Sequence, residues 1–232
     1  MITMILLNSW NSLKSCKDLT RHLLLVNAVL LALAALNVFF TDQWLAQYFA
    51  QESLMSVRDF AREITNIGLS EHYFIGSIFL YCYFRWLAPH LKLWQQHSAK
   101  AQFLKIWALN FFVALITSGI LVHIGKFLFG RQRPHKSAPI FDPLVFEPFN
   151  THWHWHSFPS GHSQTMLTAA TMMCIAFPKL KWLWILAAIA VCFTRVMGHD
   201  HFFSDTIYGA CVGYSGTLIA LYLMRTRTKQ GL

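Results

Sequence analysis

The sequence predicts an all-α, polytopic membrane protein: a six-transmembrane-helix bundle with its N- and C-termini cytoplasmic. Three observations carry that expectation. The first is composition: of 232 residues, 55% are hydrophobic and only 12% charged, with a mean hydropathy of +0.40. A soluble domain carries about twice that charged fraction. The second is a set of apolar runs at 22–40, 72–89, 103–124, 163–178, 181–197 and 206–224, most of them near the roughly 17 to 25 residues that cross about 30 Å of hydrocarbon. Backbone polar groups in lipid must be paired internally, so each run reads as a helix.

The third observation is the placement of charge. The N-terminal lead, the second and fourth connections and the C-terminal tail hold twelve Lys and Arg residues against one acid, Asp18. The opposite side holds seven basic and nine acidic residues. Basic residues concentrate in the connections that stay in the cytoplasm, which orients the bundle. The formal net charge of +9 is therefore a topology signal, and no nucleic acid is expected as a partner.

Along the chain, residues 1–21 form a short cytoplasmic lead, and no cleavable signal peptide is expected because the first apolar run starts only after Arg21. Between the first two spans, residues 52–68 place Leu54, Val57, Ile64 and Ile67 among charges. That pattern predicts an amphipathic helix at the outer interface, acting as a lid or packing element. The outer loop, 125–159, carries Pro134, Pro139, Pro143 and Pro148, which disfavour regular structure. A loop of this length often carries function, and Trp153 and Trp155 suit the membrane interface. The fourth and fifth runs are joined only by "PKLK", so they form a tight hairpin. Residues 22–224 make one membrane domain, and 225–232 a basic cytoplasmic tail. The five cysteines show neither a disulfide framework nor metal-ligand spacing.

Three polar clusters fall on the outer side. In "KFLFGRQRP", Lys126 and Arg133 are two helical turns apart and would share a face on a continuing helix; Pro134 marks its exit. Alone, such cations can equally anchor a helix end at headgroups. In "SFPSGHSQT", Ser160 can cap the fourth span and Gly161 lets backbone approach a ligand. The helix start is an anion site, with His162 on its first turn. In "TRVMGHDHFFSD", Arg195 ends the fifth span, while His201 and Asp205, at i and i+4, can meet across the start of the sixth. An Asp accepting one ring N–H leaves the other ring nitrogen a better nucleophile. Ionisable groups at spans are costly and tend to be functional. Cations with a helix N-terminus and two histidines suit a phosphate dianion.

Taken together, Lys126–x6–Arg133–Pro134, then Pro159-Ser160-Gly161-His162, then Arg195–x5–His201–x3–Asp205 resembles the three-part signature of the type 2 phosphatidic acid phosphatase superfamily, in its integral-membrane branch. One departure is Thr194 before Arg195, where that motif usually has serine; the hydroxyl survives. The resemblance implies a metal-independent phosphatase with a phosphohistidine intermediate and no cofactor. His201 would attack phosphorus, oriented by Asp205, and His162 would protonate the leaving lipid oxygen. Lys126, Arg133, Arg195, Ser160 and Gly161 would hold the phosphate oxygens. The expected substrate is a lipid phosphate monoester or diphosphate: undecaprenyl diphosphate, phosphatidylglycerol phosphate, phosphatidic acid or lipid A. The expected place is a bacterial inner membrane with the site facing the periplasm.

Two alternatives remain at this stage. A phosphotransferase would pass the phosphoryl group from His201 to a second lipid. A metal-binding transporter would use His152, His154 and His156, which alternate as on a strand face, with His199. No Cys or paired carboxylate joins those histidines, so contact with headgroups or the pocket mouth is the expected role. Membrane lipids are the expected surroundings, and no obligate protein partner is inferred.

Overall fold

The computed structural model describes residues 15–229; most of the expected lead and the last three residues of the expected tail lie outside them. The described residues are all-α. The first described helix starts earlier than hydropathy indicates, because Ser15 caps it. The Ser15 hydroxyl accepts from the Asp18 N–H, and the Asp18 carboxylate accepts from the Ser15 N–H. Helix α1 (Cys16–Asn37) then passes through a π turn (Val38–Asp42) into α2 (Gln43–Ala50). A π turn shifts the register of the residues after it, and here it ends on Asp42, which is fully buried.

Residues 52–68 are helical: α3 (Met55–Ile64) lies between short 3₁₀ turns at Glu52–Leu54 and Thr65–Gly68. Helix α4 (Ser70–Cys82) unwinds through a second π turn, Tyr83–Leu87. The short α5 (Lys92–Gln96) leads to α6 (Ser98–Phe129), whose 32 residues extend about 48 Å. After the outer loop come α7 (Gly161–Ala176), α8 (Lys181–Met197) and α9 (Phe203–Lys229), with only Pro178–Leu180 turning between α7 and α8. The expected basic tail continues α9 as helix as far as Lys229. Among the described residues, four helical stretches are long and apolar enough to cross a membrane: Cys16–Ala50, Ser98–Phe129, Pro178–Met197 and Phe203–Thr226. Helices α4 and α7 are shorter, at 13 and 16 residues.

Helix α9 is the hub, packed by α1, α6 and α7, while α8 packs on α7 and α3. Its close approach depends on small residues, as in other membrane bundles. A Cβ on Gly209 would stand 2.4 Å from the Ser160 carbonyl oxygen, and one on Gly213 would stand 2.2 Å from that of Gln164. The backbone of α9 thus lies directly against the start of α7, and Ser160 N–H donates to the Asp205 carbonyl at 3.0 Å. Below this contact, the Gln164 amide donates to Ser118 Oγ at 2.6 Å, and Thr168 donates to the Gly213 carbonyl at 3.2 Å. Such polar links between helices give the bundle one register.

The outer loop is irregular, as its prolines require, but well tied. Helix α6 stops at Gly130, which adopts a left-handed φ of +57°; its N–H bonds back to the Lys126 carbonyl at 3.0 Å. Main-chain bonds then pair Gly130 and Gln132 with Glu147 and Val145. Others hold Arg131 to Ser157 and Arg133 to His154. The expectation that Lys126 and Arg133 share a helical face is therefore corrected. The helix ends between them, and Arg133 is extended at φ −77° and ψ 147°. Glycine ends this helix before the proline can.

Candidate active site

Every residue singled out in the three clusters lies at the end of the bundle where α6 and α8 finish and α7 and α9 begin. Ser160 caps α7 as expected, its hydroxyl accepting from the Ser163 N–H at 3.4 Å. Gly161 is the first residue of α7, and a Cβ there would stand 3.5 Å from Lys126 Nζ. A side chain at this position would therefore fill the gap between the helix start and the lysine. His162 follows on the first turn, and its ring packs against Gly68, where a Cβ would come within 3.0 Å of it. Lys126, Arg133 and Arg195 are close enough for their charges to act on His162. Arg133 and Arg195 act likewise on His201.

The His201–Asp205 pair meets, but not in the arrangement the i, i+4 spacing suggests. His201 Nδ1 lies 2.7 Å from the Ser157 carbonyl oxygen and 3.6 Å from Asp205 Oδ2. A carbonyl can only accept, so Nδ1 carries the proton and Nε2 keeps its lone pair. Asp205 is occupied elsewhere. Its Oδ2 accepts from the Ser157 hydroxyl at 2.6 Å and from the Phe202 N–H at 2.8 Å. The carboxylate therefore fixes the loop that presents the Ser157 carbonyl, as well as adding negative charge beside the ring.

Two residues that the sequence did not single out complete this arrangement. Arg131, 1% exposed, bridges Asp205 Oδ1 at 2.5 Å and Asp42 Oδ2 at 2.8 Å. It also donates to Ser204 Oγ at 2.7 Å and to the Pro143 carbonyl at 2.9 Å, with its guanidinium 4.4 Å over the Phe202 ring. Ser204 in turn bonds Asp42 through both its N–H and its hydroxyl. The end of α1, the outer loop and the start of α9 are thus joined by one buried charge chain. The amphipathic segment does more than pack: the Thr65 hydroxyl accepts from Arg195 at 3.0 Å.

Arg195 also pairs with Asp200 at 3.0 Å, yet its Nε is buried without a partner. Arg133 is held by the backbone carbonyls of Trp153, His156 and Asp200 and lies 5.2 Å from the Trp153 ring centroid. The histidines of the outer loop do not alternate on a strand: Trp153–Trp155 is a 3₁₀ turn. His156 bonds the Asn150 carbonyl at 2.9 Å, and His135 stacks on Trp153. Among the described residues, no three His, Cys, Asp or Glu side chains converge as a metal site.

Burial, with the Arg133 charge, holds the His201 imidazole well below its ordinary 6.5, against the pull of Asp205. His199 and His135 are lowered too, chiefly by burial. In all three the folded protein binds its proton less readily than the unfolded chain does. Above about pH 6.5 both states are neutral and pH has no effect through them. Below it the unfolded chain takes up protons that the folded protein refuses, so stability falls with pH. The melting temperature in detergent is expected to decline as pH falls below about 6.5, less steeply in His199→Gln. A level or rising profile to pH 5 would contradict these assignments.

Cations that converge on one helix start, one of them with a buried N–H left unpaired, beside an imidazole of fixed tautomer, make an arrangement chemically suited to a tetrahedral oxyanion. Residues 107–229 match the PAP2 superfamily, and the chain belongs to that superfamily. It is a membrane lipid phosphatase of the PAP2 type, a metal-independent family. Among curated relatives, the lipid A 1-phosphatase of Rhizobium etli is 32% identical over 166 residues, 71% of this chain and 70% of that protein. An undecaprenyl-diphosphatase of Sulfolobus acidocaldarius is 28% identical over 104 residues, 44% of this chain and 47% of its own length. The fold is shared with the crystal structure of a transmembrane PAP2-type phosphatidylglycerolphosphate phosphatase from Bacillus subtilis. The TM-score is 0.58 at 21% identity, covering 88% of this chain and 96% of that one.

Proposed function

We propose that this protein releases phosphate from a phosphorylated lipid, with lipid A 1-phosphate the substrate supported best, through a phosphohistidine on His201. The observation that carries the reading is the set of unengaged groups at one point. Arg195 Nε is buried without a partner. Among the described residues, Lys126 Nζ, the His162 ring and His201 Nε2 make no hydrogen bond either. Donors left unpaired in a buried site are costly unless a ligand completes them.

In this reading Lys126, Arg133 and Arg195, with the Ser160 hydroxyl and the Gly161 N–H, hold the three equatorial oxygens. His201 Nε2 forms a bond to phosphorus as the bond to the lipid oxygen breaks. His162, whose protonated form the bound dianion favours, gives its proton to that oxygen. It then takes a proton from the water that cleaves the N–P bond, and inorganic phosphate leaves. Asp205 and the Ser157 carbonyl keep His201 in the reactive tautomer.

The finer placement belongs to the same proposal. The bundle crosses six times as one domain over 22–224, with α4 and α7 as the short spans. Both termini are cytoplasmic, and the site faces the periplasmic side of the inner membrane. The charge asymmetry and the apolar exposure of Leu24, Ile75, Ile120 and Leu186 support it. The direct test is phosphate release by the purified protein, in detergent with EDTA, from lipid A 1-phosphate, undecaprenyl diphosphate and phosphatidylglycerol phosphate. Release from lipid A alone is the expected result; preference for the diphosphate would make the second relative the better guide. His162→Ala is expected to lower kcat by about 10²–10⁴ while retaining inorganic phosphate binding. Unchanged kcat would remove His162 from the mechanism.

A further inference from the structure

At the end of the bundle opposite the cradle, a cleft of about 450 Å³ opens between the turns after α4 and the start of α6. Arg85, Lys105, Gln102 and Ser98 line it, against Phe84 and Trp94. Its wall is rigid: Phe84 is buried edge-on against Trp94 with centroids 4.9 Å apart, and Trp94 Nε1 donates to the Tyr83 hydroxyl at 2.9 Å. Lys105 stands two turns inside α6 and is partly buried, where an ionised amine costs energy unless an anion meets it. Among the described residues neither Lys105 nor Arg85 has an ion-pair or hydrogen-bond partner. Among the described residues no carboxylate side chain is free to meet them, because the single acid on that side, Asp18, caps α1.

The position of the cleft identifies what can neutralise it. Lys105 and Lys126 are 21 residues apart on one helix, about 31 Å at 1.5 Å per residue, which is the hydrocarbon thickness of a bilayer. If Lys126 meets phosphate at one boundary, Lys105 lies at the other, in the headgroup plane. The start of α6, where Ser98 lies, adds unpaired N–H groups and the positive end of a 32-residue helix. Beside the two cations along the chain, Trp86, Phe103 and Ile106 are exposed and offer an apolar surface for acyl chains. We propose that this cleft binds the phosphodiester headgroup of an anionic phospholipid in the leaflet opposite the catalytic cradle, tying α4 to α6. Its placement in the headgroup plane rests on the phosphate cradle proposed above, whereas the cleft and its unpaired cations do not depend on that reaction.

The test is thermal melting of the purified protein in neutral detergent with added dioleoylphosphatidylglycerol, dioleoylphosphatidylcholine or inorganic phosphate. The wild-type melting temperature is expected to rise by about 5 °C or more at saturating phosphatidylglycerol. Phosphatidylcholine and inorganic phosphate should produce far smaller shifts. The rise should vanish in Arg85→Gln/Lys105→Gln and persist in Arg133→Gln, which separates this cleft from the cradle. Equal shifts in wild type and the double variant, or equal shifts with phosphatidylcholine, would overturn the site. The same shift from inorganic phosphate would overturn the lipid as its occupant. Should the double variant not fold, 0.5 M NaCl on the wild type provides the second reading. Loss of most of the shift supports a charge-held lipid, and full retention overturns it.

Discussion

His201→Asn leaves a folded protein that releases no measurable phosphate from any lipid, a loss of about 10⁴ or more in kcat. The size follows from the role: without Nε2 there is no covalent route, and phosphate monoesters are among the slowest species to hydrolyse unaided. Asn is chosen because its amide can still donate to the Ser157 carbonyl, which accepts from Nδ1 in the native site. The loop therefore stays tied while the nucleophile is gone. Brief mixing with ³²P-labelled substrate should leave acid-labile, base-stable label on His162→Ala and none on His201→Asn. Phosphate release by His201→Asn within tenfold of wild type would end the phosphohistidine mechanism.

Arg131→Met should be nearly as damaging, through a different cause. Asp42 and Asp205 are both fully buried, and Arg131 is the cation between them. Removing one partner of a buried charge group costs about 3–5 kcal/mol, because the remaining charges lose their compensation. For a protein of this size that lowers the melting temperature by about 6–20 °C. Activity should fall further than stability alone explains, because the Asp205 carboxylate holds Ser157, whose carbonyl fixes the His201 tautomer. Adding Asp42→Asn removes one of the two stranded charges. The pair Arg131→Met/Asp42→Asn should therefore melt higher than Arg131→Met alone, while kcat stays low. Additive losses in that cycle would show that the three side chains do not act as a unit.

The contrast between Arg133 and Arg131 indicates how far the site was legible in the sequence. Residue type and spacing bring out Lys126, Arg133, Ser160, His162, Arg195, His201 and Asp205 as candidates, all in polar stretches that flank apolar runs, and the structure brings them to one end of the bundle. Arg131 stands in the same short stretch, but its significance depends on Asp42, 89 positions away, and no local pattern links the two. Asp42 itself stands two residues past the first apolar run, 22–40, where a polar residue is unremarkable. Only the π turn at Val38–Asp42 brings it inward, and hydropathy carries no trace of such a turn. Thr65 and Gly68 were missed for a related reason, because an amphipathic pattern shows that a helix lies on a surface but not what it touches. The four-residue spacing of Gly209 and Gly213 is visible in the sequence, and it is what lets α9 lie against the start of α7.

The segment that matches the superfamily begins at residue 107, and that boundary cuts through the charge chain. Arg131 and Asp205 lie inside it; Asp42 lies outside, as do Thr65 beneath Arg195 and Gly68 beneath His162. The signature therefore outlines where the reaction happens without enclosing what holds it in place. A transplant of that segment into another scaffold would carry all the recognisable letters, yet its buried arginine would have one carboxylate where it now has two. The motif is portable as text, but the working unit includes the π turn that follows α1.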